Sequence, residues 1–277
     1  MIVFPNCKIN LGLQILNKRE DGYHNLATVF YPVGWYDLLE VVRAEEQPAG
    51  NLAFSASGLP VSGDSSSNLC VKAYQLLKQD IPSLPPIQMH LHKIIPMGAG
   101  LGGGSSDGAW TLRLLNDLFR LQLSQEQLIG YALQLGSDCP FFIHNQPCYA
   151  TGRGEHLEPL PFDLPAFHIA VVNPGIHINT GWAFSQLNLQ ELNARPRPDL
   201  REIVQQPVST WKDQLVNDFE APVCKAHPEV AAVKEELYQA GALYAAMSGS
   251  GSTVFGLFEQ PVSLRFPESY LCRVVKC

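Results

Sequence analysis

Residues 94–107, Ile-Ile-Pro-Met-Gly-Ala-Gly-Leu-Gly-Gly-Gly-Ser-Ser-Asp, are the part of the chain best suited to chemistry. Gly98, Gly100, Gly102, Gly103 and Gly104 fall within seven positions, and the hydroxyls of Ser105 and Ser106 follow them directly. Glycine lets backbone N–H groups come close to an anion and take φ > 0, and a helix start adds unsatisfied donors and a positive dipole end. The pattern is that of a phosphate cradle. A chain reversal alone does not need so many glycines, because each costs backbone entropy. A Walker loop requires lysine after its last glycine, and none stands between Gly104 and Ser105. Gly98, Gly100 and Gly103 satisfy G-x-G-x-x-G, but the stretch follows Pro96 and an alternating strand, and it does not open the chain's first βαβ unit.

Two other residues could act on a ligand held there. Lys8 lies in a segment where Ile9, Leu11, Leu13 and Ile15 share one strand face, which puts Lys8, Asn10 and Gln14 on the other. On spacing alone it is either a solvated lysine or a catalytic one. Asp138 follows a helix stop at Gly136 and precedes the apolar run Phe141-Phe142-Ile143, read here as a strand. A carboxylate in that position is either hydrogen-bonded structurally or held for chemistry.

The elements that must position these groups are legible around them. Met89 and Leu91 alternate with His90 and His92, so a half-buried strand leads into the cradle, and Lys93 closes it as a solvated or a nucleotide-pairing lysine. Ala109, Leu112, Leu115 and Phe119 keep helical spacing after the cradle, so that helix begins at the serines. Asp21-Gly22 marks a turn that presents Tyr23 and His24 before strands through Val29, Tyr31, Val33 and residues 38–42. Asn68 opens a helix with Leu69, Ala73, Leu76 and Leu77 on one face, either as a plain cap or as a ligand group. Ser124 and Gln127 form a capping box. A strand over 167–172, a short helical stretch carrying Thr180 and Phe184, a helix over 228–240, and two strands flanking the loop 247–252 complete the pattern.

At 277 residues the chain is long enough for two modest domains. A net charge of −7 argues against a nucleic-acid binder, and no apolar run approaches a membrane span. Asn6, Lys8 and Asn10 interrupt the first apolar residues, so no signal peptide is expected there. Seven cysteines without a C-x-x-C pair read as reduced thiols, neither a disulfide framework nor a zinc site. A cytoplasmic enzyme without an obligate protein partner is the expectation.

Residues 96–106 resemble the second motif, P-x-G-x-G-L-G, of the kinases grouped under galactokinase, homoserine kinase, mevalonate kinase and phosphomevalonate kinase. Residues 5–12 are similar to the first motif of that group, with Lys8 at its lysine, and residues 247–252 to its third. Residues 136–142 resemble the segment carrying its catalytic aspartate, with Asp138 at that place. Asn173-Pro174-Gly175 and residues 217–220 resemble further family segments, the latter expected to serve packing. The resemblance implies an α+β fold of two domains. One, over 1–152, is of the ribosomal-protein S5 domain 2 type; the other, over 153–270, is ferredoxin-like, and the last strand, 271–277, returns to the first. It also implies ATP as phosphoryl donor, Mg²⁺ bridging its phosphates, an alcohol acceptor, and no protein metal ligand that can be named.

The turn Arg19-Glu20-Asp21-Gly22-Tyr23-His24 resembles one branch, whose small-molecule substrate is a cytidyl diphosphate used in non-mevalonate isoprenoid synthesis. Mevalonate or homoserine kinase activity is the alternative. On this resemblance Lys8 and Asp138 are catalytic, with Asp138 as the base. Asn68, Lys93, Pro96, Gly98, Gly100, Leu101, Gly102, Gly103, Gly104, Ser105 and Ser106 hold the nucleotide. Asn10, Tyr23, His24, Phe30, Thr180 and Phe184 meet the substrate, which occupies a cleft between the domains. Asp107 is expected to point away from phosphate and serve the helix N-terminus. Cys7 and Cys139, next to the catalytic pair in sequence, leave thiol sensitivity open.

Overall fold

The computed structural model describes residues 1–44, 52–61, 63–194 and 196–277. In chain order its strands are β1 (Ile2–Val3), β2 (Asn6–Lys18), β3 (His24–Tyr36), β4 (Leu38–Arg43), β5 (Leu52–Gly58), β6 (Ile87–Lys93), β7 (Cys148–Thr151), β8 (His156–Pro159), β9 (His168–Asn173), β10 (Tyr244–Met247), β11 (Val254–Phe258) and β12 (Leu271–Lys276). Its α-helices are α1 (Leu69–Asp80), α2 (Gly103–Phe119), α3 (Gln125–Leu135), α4 (Cys139–His144), α5 (Thr180–Ser185), α6 (Leu189–Asn193), α7 (Leu200–Val204), α8 (Glu220–Ala226) and α9 (Pro228–Gln239). They fall into two compact units that interleave along the chain. The first is Met1–Cys7, Trp35–Met97 and Gly102–Asn145, and the second Lys8–Gly34, Gly98–Leu101 and Gln146–Cys277.

The first unit is a sheet of order β1-β4-β6-β5 packed with α1 and α2. β4 runs antiparallel to β6, pairing Leu39 with Leu91 and Val41 with Met89, and β5 runs parallel to β6. Because side chains alternate along a strand, Ile87, Met89, Leu91 and Lys93 all face inward. Helix α1 buries Val71, Ala73, Tyr74 and Leu77, and α2 buries Ala109, Leu112 and Leu115, so helical spacing gives each an apolar stripe for this core. The capping box of Ser124 and Gln127 starts α3. The apolar run after Asp138 is a helix, α4, and not the expected strand. Pro140 suits a first helical turn, where its missing N–H has no intrahelical partner, and a short apolar run has no period that separates helix from strand.

The second unit holds most of the sheet β2-β3-β7-β8 and all of the antiparallel sheet β10-β11-β9-β12. Its core brings Leu13 and Ile15 of β2 together with Ala170, Val172, Val254 and Phe258 of the second sheet and Val230, Val233 and Leu237 of α9. The last strand, expected to return to the domain spanning 1–152, pairs with β9 instead: Val274 faces Ala170 and Cys272 faces Val172. β9 is buried from Ile169 onward, and β11 covers only one of its edges, so the other edge needs a strand to satisfy its backbone groups.

Candidate functional site

The glycine stretch passes from the second unit to the first between Leu101 and Gly102. Gly98, Gly100 and Gly102 take φ of +62°, +81° and +67°, a region that L side chains adopt at a cost, so glycine is required by conformation. Gly102 caps α2, whose first residue is Gly103, two positions before the serines expected to start it. The first N–H groups of a helix have no intrahelical acceptor, so α2 presents unsatisfied donors at the end of the stretch. A Cβ on Gly103 would lie 2.9 Å from Ile95 Cγ2 and 3.1 Å from Lys93 Nζ, so there glycine is required by space. Ser106 is fully buried, and its Oγ is among the described buried atoms with no hydrogen-bond partner. Pro96 is half-buried at the entry.

Lys93 departs from its expected role with nucleotide. Strand parity sends it inward, where Nζ donates to Asp37 Oδ2 at 2.5 Å and to Asp107 Oδ2 at 2.7 Å, all three side chains being buried. Burial would lower the ammonium's pKa, but Asp107 and Asp37 outweigh it and the net shift is upward. Burial pushes the Asp107 carboxyl up, and its second oxygen has no partner among the described residues. Asp107 does point into the protein, as the counter-ion of Lys93. Asp37 Oδ1 accepts from Ile94 N and Ile95 N at 2.5 and 2.8 Å, so the triad ties the entry of the glycine stretch to α2. Asn68 is the N-cap of α1: its Oδ1 accepts from Cys70 N at 2.8 Å, the plainer of its two readings.

Asp138 stands half-buried at the N-terminus of α4, beside a thiol that reaches the cradle helix. Burial pushes the Cys139 thiol up to about 12, against the hydrogen bond from Ser105 that favours its thiolate. That thiol is therefore protonated and unreactive near neutrality. Ser105 and Asp138, distant in sequence, are brought to adjacent positions through Cys139.

The second unit collects the other half of the expected site. Lys8 is only 3% exposed, so the supposedly polar face of β2 is buried at Lys8 and Asn10, though not at Gln14. Its Nζ donates to Asn10 Oδ1 at 2.6 Å and lies 4.8 Å above the centre of the Phe30 ring. Phe30, expected at the substrate, is thus buried under the ammonium. Asn10 also meets the third glycine loop, its N–H donating to Ser248 Oγ at 3.3 Å, while Ser248 Oγ donates to Gly100 O at 2.8 Å. The buried Asn217 amide holds that loop from behind by donating to Met247 O and Gly249 O at 2.7 and 2.8 Å. Residues 217–220 therefore do more than pack. Thr180 Oγ1 lies 3.1 Å from Ser250 Oγ of the same loop.

Two of the aromatic residues expected at the substrate pack on each other. The His24 ring lies flat on Phe184, with centroids 4.4 Å apart and planes at 12°. At that separation no base fits between His24 and Phe184. Burial and Lys18 hold its imidazole below the ordinary value. Tyr23 is 57% exposed, with the Arg153 guanidinium 5.0 Å from its ring centre.

Residues 68–146 match the family model described as GHMP kinases N terminal domain, and residues 200–273 that described as GHMP kinases C terminal. The chain is 49% identical over 261 residues to a 4-diphosphocytidyl-2-C-methyl-D-erythritol kinase of Azobacteroides pseudotrichonymphae genomovar. CFP2, covering 94% of each chain. It is 46% identical over 265 residues to a kinase of the same name from Parabacteroides distasonis, covering 96% of this chain and 94% of that one. The chain belongs to the GHMP kinases. Among solved structures, a 4-(cytidine 5'-diphospho)-2C-methyl-D-erythritol kinase matches this GHMP kinase with a TM-score of 0.80 and 32% identity over 94% of this chain and 91% of that one. The Methanococcus jannaschii mevalonate kinase shares the fold alone, with a TM-score of 0.70 at 11% identity over 93% and 90% of the two chains.

The residues present in this GHMP kinase fit the phosphates of a nucleotide. Left-handed glycines, the start of α2 and the orphaned Ser106 hydroxyl are suited to phosphate oxygens. Among the described residues no group of three His, Cys, Asp or Glu side chains is arranged to hold a metal ion. Sequence reasoning missed Asp37, Ser248 as a contact of Gly100, and Asn217 as its support. Only the parity shared by Lys93, Leu91 and Met89 signalled a buried carboxylate, since a buried ammonium needs a partner.

Proposed function

We propose that this GHMP kinase transfers the γ-phosphoryl group of ATP to the 2-hydroxyl of 4-diphosphocytidyl-2-C-methyl-D-erythritol, a step of non-mevalonate isoprenoid synthesis. The observation that carries this reading is its 46–49% identity, across more than nine-tenths of both chains, to relatives of that name. Phosphoryl transfer asks a protein mainly for positioning and charge stabilisation. Asp138 is the proposed base for the acceptor hydroxyl, and Lys8 stabilises the oxygen as its proton leaves. Burial and the Asn10 hydrogen bond support that role, because a fixed and poorly hydrated ammonium acts more strongly on developing charge. The donors at the start of α2, with Ser105 and Ser106, hold the phosphates. Ser106 Oγ, buried without a partner among the described residues, is the protein group that would meet a Mg²⁺ ion, whose charge would neutralise phosphate.

Cytidine is proposed to meet the exposed Tyr23 ring and the His24–Phe184 stack. All seven cysteines are free, which supports a reducing, cytoplasmic location. The test is ATP turnover with the cytidyl compound, mevalonate and homoserine as acceptors, in wild type, Asp138→Asn and Lys8→Met. Turnover is expected with the cytidyl compound alone, and each variant should lose about 10²- to 10⁴-fold in kcat with ATP affinity retained. Comparable turnover of mevalonate or homoserine would overturn the substrate. Variants within about threefold of wild type would overturn the residue roles.

A further inference from the structure

The bond that orients Lys8 depends on which way the Asn10 amide faces, and four buried groups settle that question by elimination. Gly12, at φ +70° in β2, has a backbone carbonyl that can only accept, and the Thr28 hydroxyl lies 2.5 Å from it. The single hydroxyl proton of Thr28 is therefore spent on Gly12 O. Toward Asn10, 3.0 Å away, Thr28 Oγ1 can then act only as an acceptor, so the Asn10 amide must turn its NH₂ to Thr28. That leaves Asn10 Oδ1 facing Lys8 Nζ at 2.6 Å, and an ammonium can only donate. The opposite amide orientation would set NH₂ against the ammonium and draw the Thr28 proton away from Gly12 O, losing two hydrogen bonds in a region without solvent. Lys8, Asn10 and Thr28 are each at most 3% exposed. Ser248 Oγ also lies 3.3 Å from Asn10 Oδ1, a longer contact than the 2.6 Å to Lys8 Nζ and the 3.0 Å to Thr28; its proton is nearer Gly100 O, at 2.8 Å, and it receives the Asn10 backbone N–H.

We propose that Thr28 is a positioning residue for the Lys8 ammonium, acting through the orientation of the Asn10 amide. Its methyl group contributes packing, and its hydroxyl carries the function. The inference rests on the reading that Lys8 acts in phosphoryl transfer, and its test separates the two.

Thr28→Val keeps the side-chain shape and removes the hydroxyl, so kcat should fall about 10- to 100-fold while KM for ATP stays within about twofold. Thr28→Ser keeps the hydroxyl and should restore kcat to within about threefold of wild type. In a Lys8→Met background, Thr28→Val should cost less than about threefold more, since a residue acting through Lys8 has nothing left to orient. If Thr28→Val does not fold, Thr28→Ala reads the same loss. With ¹⁵N-labelled lysine, the Nζ resonance that disappears in Lys8→Met should shift in Thr28→Val and stay in place in Thr28→Ser. Losses that multiply in the Lys8→Met background, a Thr28→Val enzyme with wild-type kcat, or an unmoved Nζ resonance would overturn the proposal. If Lys8→Met itself retains full turnover, the role of Lys8 fails, and the Nζ resonance still decides whether Thr28 orients it.

Discussion

Replacing Gly100 by alanine adds a methyl group where two glycine loops touch. Its Cβ would lie 1.9 Å from Ser248 O, 2.8 Å from Ser248 C and 3.5 Å from Gly249 N, whereas real Cβ atoms essentially never come within 3.0 Å. The obstacle is backbone, so no side-chain rotation relieves it, and the loops must part by about 1 Å or more. The Ser248 Oγ to Gly100 O bond, 2.8 Å long, then stretches beyond hydrogen-bonding range. Holding alanine at φ +81° costs roughly 1–2 kcal/mol, and the lost bond about 0.5–1.5 kcal/mol more. A displacement of about 1 Å in positioning groups lowers rates by about 10²-fold, or about 2.7 kcal/mol, a penalty of the same size. Gly100→Ala should therefore lower kcat/KM for ATP about 100-fold in a coupled ADP-release assay. Gly241→Ala is the control, because Gly241 sits at φ +96° with nothing within 4 Å of its Cβ position. It should lose about 1 kcal/mol of stability and no activity. A folded Gly100→Ala enzyme within about threefold of wild-type kcat/KM, or an equal loss in Gly241→Ala, would refute the reasoning.

Asp107→Asn tests the buried triad through pH. A carboxyl whose folded pKa is raised contributes stability that is full below its unfolded value, near 3.9, and is lost as pH rises through the folded value. The variant should thus gain stability relative to wild type on going from pH 5 to pH 8, by about 2–4 °C in Tm per kcal/mol, with Lys93 protonated throughout; a pH-independent difference would rule this out. Asn217→Asp preserves volume but leaves Met247 O and Gly249 O without their donors, so calorimetry at pH 8 should show a loss of about 2–4 kcal/mol. A loss below about 0.5 kcal/mol would mean that the third loop does not depend on Asn217.

Period and turn chemistry were enough to read much of this protein from its sequence. The alternation of Ile9, Leu11, Leu13 and Ile15 yields β2, the Ser124 capping box starts α3, and Asp21-Gly22 turns the chain at φ +84°. Clustered glycines before a helical stripe placed the start of α2 to within two residues, because backbone freedom is a property of the residue itself. Each of these is a local preference, satisfied within a few residues. The fate of a buried polar group is not local. Lys93 shares its parity with Met89 and Leu91, yet its partners Asp37 and Asp107 lie 56 and 14 residues away, and only the folded sheet and helix decide that both carboxylates meet it. The strand at 271–276 was legible, but its place beside β9 depended on which strand edge remained to be paired. Lys8 was legible as the lysine of a motif, whereas the face of Asn10 turned toward it follows from a threonine 18 residues beyond Asn10 on a neighbouring strand. Hydrogen-bond direction is set where donor and acceptor meet across the fold, and that meeting is decided by tertiary structure alone.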